Sequence, residues 1–303
     1  MDEFVNLHLH SCASLQDSII KVPDLVQKVK DYGQVAVAVT DHSSCASWID
    51  LSNECNKNDI KPIFGNEFYC IPQYIKGSRR RDHLVLLAMN QTGLINIRRL
   101  QRIAVEHSYY KPLLSYEVLE ENNHDGIYCT SACSLSSISK CILKDNIDSA
   151  INYAEYFNDL FDGNFALELQ FHPDYHEQSI INEKLVEISD KLDIPLTVSC
   201  DSHFVDENDR DLRKIVQAIS WNKLYSDENL YDSLKSNCIG NSELVKNFAV
   251  ESNFQYMHVV SSAIKHTKKI ASMCNATIEE PERRIPVFNK YDELNELFEV
   301  VEW

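Results

Sequence analysis

Three things are scarce in this 303-residue chain. No apolar run approaches the roughly 18 residues a membrane-spanning helix needs, which argues against a bilayer protein. No CxxC pair occurs, and the ten cysteines are scattered. That excludes a dense disulfide framework and fits reduced thiols in a cytosolic setting. Positive charge is short as well: 29 Lys and Arg stand against 46 Asp and Glu, a net charge of -17. This is the wrong sign for a protein that simply coats nucleic acid. It leaves room for an enzyme that meets phosphate at a metal-loaded pocket. Three divalent ions would bring the charge to about -11, so any attraction to DNA must be local. Repeats, low-complexity segments and Gly/Ser linkers are missing too. Asp2 and Glu3 lead straight into a strand-like run, unlike a secretory signal.

What is present is an ordinary globular composition, 44% hydrophobic and 25% charged, in a chain long enough to bury a substantial core. Short apolar runs alternate with amphipathic stretches. NLHLH, QVAVAVTDH, IKPIFGNEFYC, HLVLLAM, GIYCTSAC, FALELQ and IPLTVSCDSHF read as strands. KVPDLVQKVKDYG, CASWIDLSNECNKND, GLINIRRLQRIAVEHSY, IDSAINYAEYFNDLFD and SIINEKLVEISDKLD read as helices. A repeating βα pattern predicts a mostly parallel sheet with helices outside, and seven strands suit a barrel better than an open sheet. After residue 205 the pattern turns helical and polar. The expected organisation is therefore a barrel over residues 1–205, with a helical extension over 206–303 packed on it or completing it.

In such barrels chemistry gathers at the strand C-termini. The first strand ends in LHLH, where the two-residue period points His8 and His10 the same way. His42, Glu67, Cys133, Asp201 and His203 also fall at or just past strand ends. Asp17 lies just downstream of the first strand. His83 is the exception, at the beginning of its strand. Together, His8, His10, Asp17, His42, Glu67, His83, Cys133, Asp201 and His203 form a set of plausible ligands for zinc, manganese or iron.

The stretches FVNLHLHSCASLQD, AVTDHSS, IKPIFGNEFYC, RDHLVLLAMNQTG, YYKPLLSYEVLEEN, TSACSLSS, FALELQFH and IPLTVSCDSHF occur in an order and spacing that resemble the PHP (polymerase and histidinol phosphatase) family. Within it they resemble the domain that begins the bacterial replicative DNA polymerase III α subunit. The resemblance covers about residues 3 to 290, including the tail MCNATIEEPERRIPVF. It implies an α/β fold, a distorted (β/α)7 barrel holding up to three divalent metals (Zn, Mn or Fe), with a competent ligand at all nine family positions. Glu67 and Cys133 would bridge metals, and the other seven would complete the shells. The chain departs from the pattern at HSCAS, where an acidic-aromatic pair is more usual, at Cys200, and at SACSLSS, which lacks the glycine often found before the cysteine.

Clustered divalent metals supply both needs of phosphodiester hydrolysis, an activated water and positive charge against the phosphoryl oxygens. Asp41 is a candidate for orienting a ligand by hydrogen bond, or for capping the helix that follows. Arg79, Arg80 and Arg81 are either a solvated loop or a phosphate clamp beside the metals, with Arg81 the one placed nearest the chemistry. Arg98, Arg99 and Arg102 are spaced for a basic helix face. Tyr109 and Tyr110 are candidates for stacking on a terminal base or for packing under a loop. Of the remaining histidines, only His172 stands close enough to a strand end to bear on the site. Three functions follow: a 3′–5′ exonuclease acting on nucleic-acid ends, a small-molecule phosphomonoesterase of the histidinol-phosphatase type, or a non-catalytic module docking to a polymerase or other replication protein. The stretch to Trp303 leaves no room for a palm, fingers or thumb, so no polymerase activity is expected of this chain alone.

Overall fold

The computed structural model describes residues 2–75, 78–108, 110–122, 124–227 and 234–278. Helix α1 (Val22–Asp31) leads to strand β1 (Ala36–Val39), then α2 (Trp48–Lys57) and β2 (Lys61–Ile71). β3 (Asp82–Ala88) follows without a helix between, then α3 (Gln91–Glu106), β4 (Leu114–Ser115), α4 (Tyr116–Glu121) and β5 (Ile127–Thr130). α5 (Ser137–Ile142), α6 (Ile147–Leu160), β6 (Phe165–Gln170), α7 (His176–Leu192) and β7 (Leu196–Ser199) complete the sheet region. Among the described residues, three further α-helices come after it: α8 (Arg210–Ser220), α9 (Ser242–Glu251) and α10 (Met257–Met273).

The sheet runs in the order β1-β2-β3-β5-β6-β7, with the short β4 beside β2. Residues 6–10 lie between the two edge strands and draw the sheet closed. The Ala38 amide donates to the Asn6 carbonyl at 2.8 Å and Thr40 to Leu9 at 2.8 Å, while on the other side His10 donates to Ser202 at 2.9 Å. The distorted barrel is thus completed by a bridging segment rather than by a regular seventh ladder. The HxH run makes a single bridge, Leu9 to Ser202, where the sequence predicts a strand.

One strand runs the other way. β3 is antiparallel to both β2 and β5, with Tyr69 opposite His83 and Glu67 opposite Val85. This is the exception in a mostly parallel sheet, and it removes the anomaly at His83. The start of an antiparallel strand lies at the same barrel mouth as the ends of its parallel neighbours.

Inside the barrel the side chains are layered. Ala36, Ala38, Ile63, Val85, Leu87 and Ala166 form an apolar floor, closed from below by Ile270 and Ala271 of α10 and by Cys274 just past its end. α10 reads apolar at 260, 263, 264, 270 and 271, with Thr267 among them, the spacing of one helix face, and those positions are buried. It is tied to the barrel where the Val5 amide donates to Thr267 Oγ1 at 2.9 Å. Above the floor the same strand faces turn polar: two residues past Gly65 stands Glu67, two past Ala166 stands Glu168, and two before Val85 stands His83. Gly65 marks the tight waist, because a Cβ there would lie 2.7 Å from both Thr40 Cγ2 and Leu87 Cδ2.

The chain has only seven glycines. Many left-handed turns accordingly fall on Asp or Asn, as at Asp59, Asp145, Asp162, Asp193, Asn222 and Asn253. Of the five other left-handed non-glycine residues among those described, Tyr110 lies away from the candidate ligands and four do not. Gln16, Ser43, Ala132 and Asp201, with φ of 62°, 42°, 55° and 47°, each coincide with or adjoin a candidate ligand. Backbone held in that region by the surrounding fold is a mark of functional sites.

Candidate metal centre

All nine candidate ligands meet at the polar mouth of the barrel. Glu67 is the hub. Its Oε1 lies 3.2 Å from His8 Nε2 and 2.8 Å from His83 Nδ1, and its Oε2 lies 3.2 Å from His10 Nε2 and 2.7 Å from His42 Nδ1. Asp201 Oδ1 stands 3.3 Å from both His8 Nε2 and His10 Nε2. Asp17 Oδ2 joins His42 Nε2 at 3.0 Å and His203 Nε2 at 3.2 Å. Cys133 Sγ lies 3.4 Å from His83 Nδ1 and 3.9 Å from Glu67 Oε1.

The imidazoles are aimed from behind. His8 Nδ1 meets Glu168 Oε1 at 2.7 Å, His10 Nδ1 meets Ser14 Oγ at 3.1 Å, and His203 Nδ1 meets the Asp201 carbonyl at 2.7 Å. Each acceptor calls for the proton on Nδ1, which leaves the Nε2 lone pair facing the cluster. Glu168 also accepts from Thr130, Ser199 and Gln170. Sequence reasoning did not single out Glu168. Its signal was a lone carboxylate in the otherwise apolar run FALEL.

Asp41 is fully buried; its carbonyl accepts from the Glu67 amide at 3.3 Å, and its carboxylate bonds to serines rather than to a candidate ligand's side chain. It accepts from the Ser11 amide and hydroxyl, from Ser14 Oγ at 2.8 Å and from Ser47 Oγ. Ser14 in turn meets His10 Nδ1 and accepts from the His42 amide at 3.1 Å. Asp41 therefore acts on His10 through one hydroxyl.

The field at the mouth is negative. Burial alone would depress the His42 imidazole, but Glu67 and Asp17 raise it to about 10. His8 is likewise raised against its burial by Glu168, Asp201 and Glu67. Burial would raise the carboxyls of Asp17, Glu67 and Asp201, yet the surrounding imidazoles hold each of them below the usual carboxylate range. The Cys133 thiol is pushed up by burial and by Glu67. A divalent cation answers the same field and favours the thiolate.

His8 Nε2, His10 Nε2, His42 Nδ1, Glu67 Oε2 and Asp201 Oδ1 are buried and make no well-aligned hydrogen bond; each faces other ligand atoms of this one cluster as a close charge pair. Three overlapping triads, His10–His42–His203, His8–His10–Asp201 and His42–Glu67–His83, each bring their ligand atoms within 4.8 Å of one another. Mixed imidazole and carboxylate donors of this kind fit Zn, Mn or Fe.

A cavity of about 350 Å³ opens from the cluster. Its wall includes His172, Tyr175, Arg213, Gln217 and Trp221. His172 is buried, bonded through Nδ1 to Ser236 Oγ at 2.6 Å, and burial pushes it down to about 4. It is a neutral wall group. Arg213 was not anticipated from sequence, where it is one of several charges in an amphipathic helix. Its Nη2 lies 3.0 Å from Asp17 Oδ1 and its Nε donates to the Asp17 carbonyl at 3.1 Å.

The arginine run before His83 goes elsewhere. Arg80 grips the buried Asp82 through Nε and Nη2, at 2.9 and 2.6 Å, and faces a separate cavity shared with Lys140 and Lys144. Arg81 donates from Nη1 to the Ser78 and Arg80 carbonyls. Arg79 is exposed. None of the three is among the residues lining the cavity beside the ligand cluster. Arg98 and Arg102 line a shallow cavity of their own, with Cys45 and Gln101. Tyr110 is exposed and does not line the cavity beside the ligand cluster, and Tyr109 lies outside the described residues.

The family profile described as PHP domain matches residues 6–172. Over 308 aligned residues the chain is 33% identical to the DNA polymerase III subunit alpha of Borreliella burgdorferi, covering 99% of this chain and 26% of that protein. The DNA polymerase III subunit alpha of Treponema pallidum is 30% identical over 294 residues, covering 94% and 24%. The chain therefore spans about a quarter of the length of these curated relatives. Among solved structures, a two-domain protein from Bacteroides vulgatus containing a predicted PHP-like metal-dependent phosphoesterase is similar at a TM-score of 0.40 and 13% identity, over 82% of this chain and 69% of that one.

Proposed function

The chain belongs to the PHP domain family, and from that premise we propose that it is a metal-dependent phosphoesterase that removes nucleotides from nucleic-acid 3′ ends. The observation that carries the hydrolytic reading is the meeting of nine candidate ligands in one cluster, six of which (Asp17, His42, His83, Cys133, Asp201 and His203) line a single cavity. His8, His10, Asp17, His42, Glu67, His83, Cys133, Asp201 and His203 would hold the ions. Divalent metals there would supply positive charge against phosphoryl oxygens and acidify a water at neutral pH.

The chain's own groups do the rest. Glu67 presents both oxygens to four imidazoles. Glu168 fixes the His8 ring and Asp41, through Ser14, fixes the His10 ring. Arg213 anchors Asp17 and brings a guanidinium to the cavity wall, where it faces an entering phosphate. The polymerase names of the relatives favour nucleic-acid ends over a small phosphomonoester. A second reading, a module that docks to a replicative polymerase, draws support from α8, whose Leu212, Ile215 and Ile219 form an exposed apolar strip.

The test offers labelled single-stranded DNA and RNA with Mn²⁺ or Zn²⁺ in one arm, and p-nitrophenyl phosphate and histidinol phosphate in the other. His10→Ala and Asp201→Asn variants run beside both. Stepwise shortening from the 3′ end, lost in both variants, is the expected result. Turnover of monoesters alone would replace the exonuclease with a phosphatase. Silence in both arms with metal loaded would leave the docking module.

A further inference from the structure

Helix α8 has two faces of opposite character. Leu212, Ile215 and Ile219 point to solvent, while Arg213, Gln217 and Trp221, spaced four apart, form one ridge that lines the cavity beside the ligand cluster. Along that ridge the chemistry changes in order. Arg213, 5% exposed, is the one bonded to the candidate ligand Asp17. Gln217, 4% exposed, follows as a neutral hydrogen-bonding group. Trp221, at the end of the helix, presents its indole at the rim with 47% of its surface exposed. Eight residues of helix rise about 12 Å.

A nucleotide has the same order of parts: a phosphate, then a polar sugar, then a flat aromatic base. A small alcohol phosphate would engage only the inner end. We propose that the ridge Arg213–Gln217–Trp221 makes the site selective for a nucleotide end, with the Trp221 indole stacking on the terminal base while the phosphate lies toward Arg213 and the ligand cluster. The proposal rests on the phosphoesterase reading of that cluster and adds the residues that would select the nucleotide end. Stacking of this kind is tolerant of base identity, so the ridge selects a nucleotide without selecting its sequence.

The experiment measures binding rather than turnover. Fluorescein-labelled hexathymidylate, with a phosphorothioate in its last linkage, is titrated with the Mn²⁺-loaded protein and followed by anisotropy. A second oligonucleotide differs only in an abasic 3′-terminal residue. The wild type is expected to prefer the intact terminus by roughly five- to hundredfold. Trp221→Ala should bind both alike, and Trp221→Phe should keep part of the preference. Equal binding of the two oligonucleotides by the wild type, or a preference that survives in Trp221→Ala, would overturn the assignment. Hydrolysis of bis(p-nitrophenyl) phosphate, a diester without a base, is run alongside on the wild type. If the diester is cleaved without any terminal-base preference, the phosphoesterase reading stands and the ridge assignment falls. If Trp221 governs a base preference but no diester is cleaved, the ridge stands as a nucleotide site and the hydrolytic reading falls.

Discussion

Replacing Glu168 with glutamine changes one oxygen for an amide nitrogen and leaves the shape of the barrel mouth alone. Glu168 Oε1 receives His8 Nδ1, Gln170 Nε2 and Ser199 Oγ, whereas Oε2 receives only Thr130 Oγ1. The glutamine can therefore keep its carbonyl toward His8 and turn its amide to Thr130, whose hydroxyl rotates to accept. The hydrogen bond to His8 then becomes neutral, which weakens it by about 1 kcal/mol and lowers the basicity of Nε2. The expected result is a metal affinity about 10- to 100-fold weaker, with little change in the denaturation midpoint of the metal-free protein. Glu168→Ala removes both acceptors and strands the donors around them. It should lower the stability of the metal-free protein by roughly 3 kcal/mol or more. Metal affinity is read by titration against a fluorescent chelator, and stability by urea unfolding. A glutamine variant that binds Mn²⁺ as tightly as the wild type would refute the claim that Glu168 works by tuning His8. So would one that is as unstable as the alanine variant.

Three other outcomes follow from the same structure. At Asp82, burial favours the neutral acid, but Arg80, Lys140 and Ser137 outweigh it and hold the carboxyl below its usual range. A folded-state pKa below the unfolded one gives stability that is full above about pH 4 and lost as pH falls through the folded value. The gap in urea midpoint between wild type and Asp82→Asn should therefore be widest at pH 7 and shrink below pH 4; a constant gap would contradict the assignment. Ala132 is held at φ 55° where glycine is unstrained, so Ala132→Gly should stabilise the protein by about 1 kcal/mol in chemical denaturation. Saturating metal at about 100 times its dissociation constant should add about 2.7 kcal/mol to stability, and EDTA should lower the melting temperature by the corresponding amount.

Much of the centre could be read from sequence because strand geometry is periodic. The two-residue period put His8 and His10 on one side, and the ends of β1 and β7 collected His42, Asp201 and His203 at one mouth, whereas Glu67 reaches it from inside the long β2 rather than from its end. His83 looked out of place only because strand direction is invisible in a hydrophobic pattern. The signal was there: the ten residues between β2 and β3 carry no helical periodicity, so the connection could not return the chain for a parallel strand. The missing glycine before Cys133 turned out to be a strained alanine, which no pattern of residue types reveals. Arg80 was misjudged for a reason of charge. An arginine beside a loop looks free until the fold buries Asp82 two residues on and claims it. Asp41 and Glu168 act through Ser14 and through His8, and such relays depend on contacts between elements far apart in the chain.

The central claim is that these residues form a metal centre, and metal content tests it most directly. Protein loaded with Mn²⁺ or Zn²⁺, desalted and analysed by plasma mass spectrometry, should retain two or more divalent ions per chain. Glu67→Ala, which removes the carboxylate shared by four imidazoles, should retain fewer. A wild-type chain that retains less than one ion, or a Glu67→Ala chain that retains as many as the wild type, would contradict it.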